Sequence, residues 1–276
     1  MKYIKEKTVI KIYDKDDFDI AHILECGQVF CFEKIGNDYV VYPQNHFATI
    51  KNTSYGYDII TNDVDYFENW FDLKTDYSKI KNQLLKFDIM KNPIEFGHGI
   101  RILNQNLFEV LISFIISANN NIKRIKLILN NLRKNLGEKI CEGFYSFPTY
   151  EKLALQDEEF FKKMGAGYRA SYLVKVLKQI NPDALENWKG LSSDMLHKNL
   201  ISLCGVGPKV ADCVALFGFH CDDVFPVDTW IEKMYNTYFE SCKNRDLIRK
   251  NLVEKFEHLS GFAQQYLFYY QRSGQC

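Results

Sequence analysis

The sequence predicts an α+β protein, with a small N-terminal antiparallel β-sheet region followed by a mainly α-helical, two-lobed body. Three observations predict it. Up to about residue 60, short β-branched and aromatic segments alternate with Asn, Asp and Gly turns. From Asp63 onward, apolar residues recur every three or four positions, the period of an amphipathic helix. Between Ser192 and Phe219, two such helical segments flank a short break rich in Gly and Pro.

The expected strands are "KTVIKIY", "VFCFEK", "YVVYPQ", "HFATIKN" and "YDIITN". The helical segments include "LFEVLISFIISA", "NIKRIKLILNNLRKNL", "YRASYLVKVLKQI", "SSDMLHKNLISL", "GPKVADCVALFGF", "DTWIEKMYNTYF" and "NRDLIRKNLVEKFEHL". Ser192 or Ser193 suits an N-cap, and Gly137 and Gly190 mark helix ends. The predicted division places the sheet region and first helices in residues 1–100 and the helical body in residues 101–276. The first-half helices are expected to complete one helical lobe, and those of Ser192–Phe239 another.

Composition narrows the function classes. With 46% hydrophobic and 25% charged residues in 276, the chain can bury a sizeable core as a soluble protein. The first residues, "MKYIKEKTVIKIYDKDD", contain no apolar run of signal-peptide type. The most apolar stretch, Leu107 to Ala118, includes Glu109 and is too short to span a bilayer. A cytoplasmic protein with no membrane partner is therefore expected, associated with the nucleoid in a prokaryote. The eight cysteines, at 26, 31, 141, 204, 213, 221, 242 and 276, follow no disulfide or metal-ligand spacing. Reduced thiols, no metal and no cofactor are expected. Net charge is zero, yet residues 1–100 carry 12 basic against 16 acidic side chains, and residues 101–180 carry 13 against 7. A basic middle segment suits a phosphate-facing surface. Solvated helix faces account for the same charges.

The stretch "SDMLHKNLISLCGVGPKVADCVALFGF" reads as a helix–hairpin–helix over about 193–219. Gly205 and Gly207 permit positive φ and close backbone approach. Pro208 suits the first helical position, where no amide hydrogen is needed. The unpaired amides of Gly205, Val206 and Gly207 would then offer a seat to a phosphate, as in duplex-backbone binding without sequence readout. Taken alone, the stretch reads equally as two packed helices around an ordinary glycine turn. Lys209 falls in the first turn of the second helix, where the positive end of the helix dipole disfavours a protonated amine. A lysine serving helix stability alone would sit better near the other end. Cys213 shares its face one turn on. Further along, "FPVD" places Asp228 before another helix, where capping is the favoured reading of the aspartate by itself; a carboxylate fixed there could also stabilise developing positive charge.

Taken together, "LCGVGPKVADC" and "FPVD" resemble the helix-hairpin-helix-GPD superfamily of base-excision DNA glycosylases. Within it the chain looks like an 8-oxoguanine DNA glycosylase with lyase activity. "ECGQVFCF", "SANNNIKR", "GAGYRASY" and "GFAQQYLFYYQ" fit the same family, so the resemblance covers most of the chain. It implies Lys209 as the nucleophile at C1′ of a flipped nucleotide and Asp228 as the carboxylate stabilising the oxocarbenium-like transition state. It implies a pocket in which the Gly27 carbonyl accepts from the N7–H that distinguishes 8-oxoguanine from guanine. Gln264 would read the Watson–Crick edge, and Phe268 and Cys213 would sandwich the base. Asn119, Arg124 and Arg169 would contact the estranged cytosine, and Tyr168 would wedge into the vacated stack. The implied partner is double-stranded DNA containing an oxidised purine, bound by a monomer.

Two features depart from the family pattern. Thr229-Trp230 follows Asp228 where eukaryotic members place a phosphate-contacting histidine, and Gln271 stands near the expected place of its acidic partner. Trp230 is expected to do no more than pack. The alternatives are another glycosylase of the superfamily, endonuclease III-like or alkylpurine-specific, and a non-catalytic module that only binds DNA. The absence of a four-cysteine cluster run speaks against the endonuclease III type, and the presence of Lys209 against the alkylpurine type.

Overall fold

The computed structural model describes residues 1–274, so Cys276 of the sequence lies outside the described residues. Strands β1 (Tyr3–Lys5) and β2 (Val9–Ile12) precede helix α1 (Ile20–Glu25), followed by β3 (Phe32–Ile35), β4 (Asp38–Val41), β5 (Ala48–Asn52) and β6 (Tyr57–Thr61). The helices continue with α2 (Val64–Trp70), α3 (Tyr77–Leu84), α4 (Lys91–Phe96), α5 (Leu107–Ser117) and α6 (Ile122–Leu136). A small hairpin, β7 (Lys139–Cys141) and β8 (Phe144–Tyr145), interrupts them before α7 (Tyr150–Ala154), α8 (Glu158–Lys163), α9 (Arg169–Gln179) and α10 (Pro182–Glu186). The last elements are α11 (Ser193–Ile201), α12 (Pro208–Phe219), α13 (Thr229–Tyr238), α14 (Arg245–Phe256) and α15 (Ser260–Arg272).

An N-terminal sheet followed by a helical body is the predicted fold class. All five expected strands are present, and β1 adds a sixth, giving the order β1-β2-β6-β5-β4-β3. The pairs β1–β2, β2–β6 and β3–β4 are antiparallel, with Ile10 opposite Ile59 and Phe32 opposite Val41. In β2 the burial alternates, Ile10 and Ile12 being inside, because successive side chains leave opposite faces of a strand. Two elements escape the periodicity. Helix α1 lies inside the strand-like region, capped by Asp19 accepting from the His22 N–H. The β7–β8 hairpin lies inside the helical region. Each is shorter than two helical turns or four strand residues, too short for a period to register. Gly137 does cap α6, and Ser192 is the N-cap of α11. Gly190 stands four residues past the end of α10, with its own turn.

The compact units do not divide near residue 100. One comprises residues 1–29, 50–104 and 220–276, and the other residues 30–49 and 105–219. The reason is that a β-hairpin can belong to one core while its flanking strands belong to another. The division falls inside β5. In the first unit, α15 packs with α4, α13 and α14 over a core including Phe225, Ile231, Met234, Phe256, Tyr266 and Leu267. In the second, α5 is buried from Leu107 to Ile116 and packs chiefly on α12.

A buried ion pair fixes α5 within the second unit. Arg133 of α6, 3% exposed, pairs with Glu109 of α5 and also donates to the carbonyls of Tyr42 at 3.1 Å and Tyr145 at 3.3 Å. Glu109 accepts in turn from the Gln44 N–H at 3.0 Å. One polar cluster thus ties together two helices, the exit of β4 and the β7–β8 hairpin. Removing one partner of a buried pair strands the other charge. Arg133→Met is expected to lower stability by about 3–5 kcal/mol in urea unfolding. Adding Glu109→Gln, which removes the stranded charge and keeps an acceptor for Gln44, is expected to recover part of that loss.

Candidate active site

The hairpin between α11 and α12 is closed by the Val206 N–H donating to the Leu203 carbonyl at 3.1 Å, and Val206 turns its side chain inward, 5% exposed. Gly205 has φ +84°, and a Cβ there would stand 2.7 Å from Cβ of Tyr172. Both its backbone conformation and its space therefore exclude a side chain. Gly207 differs from the sequence expectation: its φ is not positive, and open space surrounds the place where a Cβ would be. Its carbonyl accepts from the Ala211 N–H at 2.9 Å and so starts α12. The Cys204 N–H donates to Gln179 Oε1 at 2.7 Å, tying the hairpin to α9.

Lys209 follows Pro208 in the first turn of α12 and is partly buried. Its Nζ stands 5.2 Å from the centre of the Phe114 ring on α5, and that ring stacks on Phe217 of α12 at 5.5 Å. An aromatic face beside an ammonium group attracts it and orders the stem below it. Phe114 was not recoverable from the sequence, where it is one apolar residue in a helix of apolar residues. Cys213 lies one turn beyond Lys209 and is 3% exposed. Between them Asp212, 1% exposed, holds His197 Nδ1 of α11 at 2.7 Å. That contact clamps the two helices of the hairpin together behind the lysine.

The three asparagines after α5 divide the work of one turn. Asn120 Nδ2 donates back to the Ile116 carbonyl at 3.1 Å, and Asn121 caps α6 by accepting from the Arg124 N–H at 3.0 Å. Asn119 is exposed, with φ +48°. Arg169, which the family resemblance assigns to the estranged cytosine, is turned inward in this structure. It is 4% exposed and donates to the Ala118 carbonyl at 2.7 Å through Nε and to the Asn119 carbonyl at 2.7 Å through Nη2. Its guanidinium braces the asparagine turn, because carbonyls in such a bend have no strand or helix partner. Arg124 is exposed and reaches the Gly165 carbonyl at 3.3 Å. Tyr168 is 53% exposed, and the Arg169 guanidinium lies 4.4 Å from its ring centre.

In the other unit, Asp228 is the N-cap of α13. A single oxygen, Oδ1, accepts from the Trp230 N–H at 2.9 Å and the Ile231 N–H at 3.0 Å. The carboxylate is thereby held rigidly with its second oxygen outside the cap. Trp230, expected only to pack, is 38% exposed in the first turn of α13.

The same unit holds the Gly27 turn beside α15. Gly27 has φ +90°, and a Cβ there would meet Arg272 Nη1 at 2.9 Å and the Phe268 ring at 3.1 Å. Gln28 beside it is wholly buried, donating to the carbonyls of Ile23 at 3.0 Å and Arg101 at 2.7 Å and accepting from the Leu103 N–H at 2.9 Å. Gln265 of α15 donates to the Cys26 carbonyl at 2.9 Å. Gln264, 5% exposed, keeps its buried Oε1 without a hydrogen-bond partner. An orphaned amide oxygen costs roughly 1–3 kcal/mol unless something fills the place in front of it. Phe268, one turn along, is partly exposed.

Comparison with known proteins bears on these groups. The model of the 8-oxoguanine DNA glycosylase N-terminal domain matches residues 10–111, and that of the HhH-GPD superfamily base excision DNA repair protein matches residues 112–258. The chain belongs to the HhH-GPD superfamily. Among its relatives is the N-glycosylase/DNA lyase of Saccharomyces cerevisiae, 36% identical over 58% of this chain and 47% of that protein. The Arabidopsis thaliana N-glycosylase/DNA lyase OGG1 is 33% identical over 66% of this chain and 56% of its own length. The chain thus spans about half the length of these two relatives. The crystal structure of the Clostridium acetobutylicum 8-oxoguanine glycosylase/lyase with double-stranded DNA containing cytosine opposite 8-oxoG matches with a TM-score of 0.92. It is 36% identical, covering 100% of this chain and 99% of that one. Among the described residues of this superfamily member, no helix is long and apolar enough to cross a membrane.

The two hairpin glycines separate in a simple experiment. Gly205→Ala is expected to cost about 1–3 kcal/mol through positive φ and the clash with Tyr172. Gly207→Ala, with open space, is expected to stay within about 0.5 kcal/mol. Thermal unfolding of the two variants side by side measures the difference.

Proposed function

We propose that this chain is a bifunctional DNA glycosylase that excises 8-oxoguanine opposite cytosine from double-stranded DNA and then nicks the strand. The observation that carries the reading is Lys209 at the start of α12, immediately behind the strained Gly205 hairpin and over the Phe114 ring. A duplex base must leave the stack before chemistry at its sugar begins. The hairpin amides of Gly205 and Gly207 would hold backbone phosphate; the Val206 N–H, expected to be unpaired, is instead given to the Leu203 carbonyl and closes the turn. The Lys209 amine would attack C1′, forming the C–N bond as the glycosidic bond breaks; the electron pair leaves with the base, which takes up the proton lost from Nζ. Asp228 would stabilise the positive charge developing on the sugar, with its geometry already set by the α13 cap. Opening of the sugar ring gives an imine on Lys209. Loss of a proton from C2′ then expels the 3′ phosphate by β-elimination, and water releases the lysine.

The base-reading roles follow the same proposal. The Gly27 carbonyl would accept the N7–H of 8-oxoguanine, and guanine, with an acceptor at N7, would be repelled. The orphaned Gln264 Oε1 supports a role in reading the base edge. Phe268 and Cys213 would stack on its faces. For the estranged cytosine, Asn119 and Arg124 would donate, a role that their exposure supports. Arg169 would act after releasing, or through, the asparagine turn that it braces. Tyr168, exposed beside it, would fill the gap in the stack. The protein would act as a monomer without metal or cofactor.

Borohydride reduction during incubation with an 8-oxoguanine:cytosine duplex is expected to trap a covalent complex with the native protein and none with Lys209→Gln. Equal trapping by the two proteins would sink the lyase mechanism, and binding without any cleavage would favour a module that only binds DNA. Asp228→Asn keeps a good cap, so its melting temperature is expected to hold while excision falls by at least about a hundredfold. Gly27→Ala is expected to lower lesion excision far more than nicking of a pre-formed abasic site, because the added Cβ crowds Phe268 and Arg272. Equal losses on both substrates would argue against the pocket assignment.

A further inference from the structure

Arg272 closes the last turn of α15, the helix that carries Gln264 and Phe268. Its Nη2 donates to the carbonyl of Glu25, two residues before Gly27. Its guanidinium carbon lies 5.2 Å from the centre of the Phe268 ring, and its Nη1 stands 2.9 Å from where a Cβ on Gly27 would be. Gln265, seven residues earlier and so on the same helix face, takes the next carbonyl, that of Cys26. The two peptide groups that lead into Gly27 are therefore each held by a side chain of α15. Gln265 is 1% exposed and belongs to the core, whereas Arg272 is partly exposed at its edge.

A pocket that separates 8-oxoguanine from guanine by one proton depends on the distance between a carbonyl on the turn and the groups on α15. Gly27, with φ +90° and no side chain, does not fix the peptide planes around it; buried Gln28 anchors the chain after it, and the ties to α15 hold the two peptides before it. We propose that Arg272 is a positioning residue for lesion discrimination, fixing the Gly27 carbonyl relative to Phe268 and Gln264 by donating to Glu25 while its guanidinium stands beside both Gly27 and the Phe268 ring. This rests on the function proposed above. The role needs a forked guanidinium, because a single ammonium nitrogen at the Glu25 carbonyl leaves no second nitrogen to stand at Gly27 beside the Phe268 ring. A basic residue serving only the negative end of the helix would be replaced by lysine without loss.

The test compares the native protein with Arg272→Leu and Arg272→Lys. Single-turnover excision of 8-oxoguanine opposite cytosine, nicking of a pre-formed abasic site, and equilibrium affinity for lesion and undamaged duplexes are measured for each. Both variants are expected to lose roughly tenfold in excision rate, and the preference for lesion over guanine duplex is expected to narrow by a similar factor. Nicking of the abasic site, which needs no base in the pocket, is expected to fall far less. Native excision and affinity ratios in Arg272→Leu would overturn the inference alone, as would full recovery in Arg272→Lys or equal loss in excision and nicking. Failure of the native protein to excise the lesion would overturn the proposed activity and this inference together.

Discussion

Irregular backbone inside a folded protein leaves carbonyl groups that neither a helix nor a strand can satisfy, and a side chain must reach each one. In this protein those side chains lie at the candidate functional groups. Gln28, Gln265 and Arg272 hold the bend before and at Gly27, and Arg169 holds the bend at Ala118 and Asn119. Gln179 takes the amide of Cys204 in the hairpin. Each bend would be loose if it relied on its own residues, since glycine or left-handed asparagine forms its apex. Long polar side chains, Gln28 of the turn itself and the others from helices α9 and α15, tie each bend to its surroundings.

The same economy governs Lys209 and Asp228. Asp228 uses one oxygen to cap α13, an arrangement worth about 1 kcal/mol to the helix, and the cap aims the rest of the carboxylate. Lys209 stands on a helix whose start is set by Gly207 and Pro208 and whose face is held by Phe114 and Phe217. The position of Phe114 depends in turn on α5, anchored through Glu109 to Arg133 and through Arg133 to the carbonyls of Tyr42 and Tyr145. The proposed chemical demands fall on the same groups as the structural ones. Chemistry of this kind needs fixed positions, which the cap of α13 gives to Asp228 and the Phe114 ring gives to Lys209.

Much of this was legible in the chain as written. The strand and helix periods mark the five expected strands and the long helices other than α15, whose segment enters through the family resemblance, and "LCGVGPKVADC" with "FPVD" marks the hairpin, the lysine and the capping aspartate. What escaped were short elements, such as α1 and β7–β8, whose length is below any period. Residues whose meaning comes from a distant partner also escaped. Phe114 and Arg272 are unremarkable in their own segments and acquire importance only from what lies across from them. Arg169 was visible as an arginine beside a tyrosine, but its inward direction was not.

The sequence by itself determined the fold class, the glycine-rich hairpin, and the identity of a helix-start lysine and a helix-cap carboxylate. These are local properties, set by φ preferences, hydrophobic period and capping chemistry within a few residues. Tertiary structure alone decided which glycine is strained, which guanidinium is spent on a carbonyl, and which glutamine is left with an unanswered oxygen. Those outcomes depend on groups far apart in the chain that compete for the same buried donors and acceptors, and no local rule ranks them.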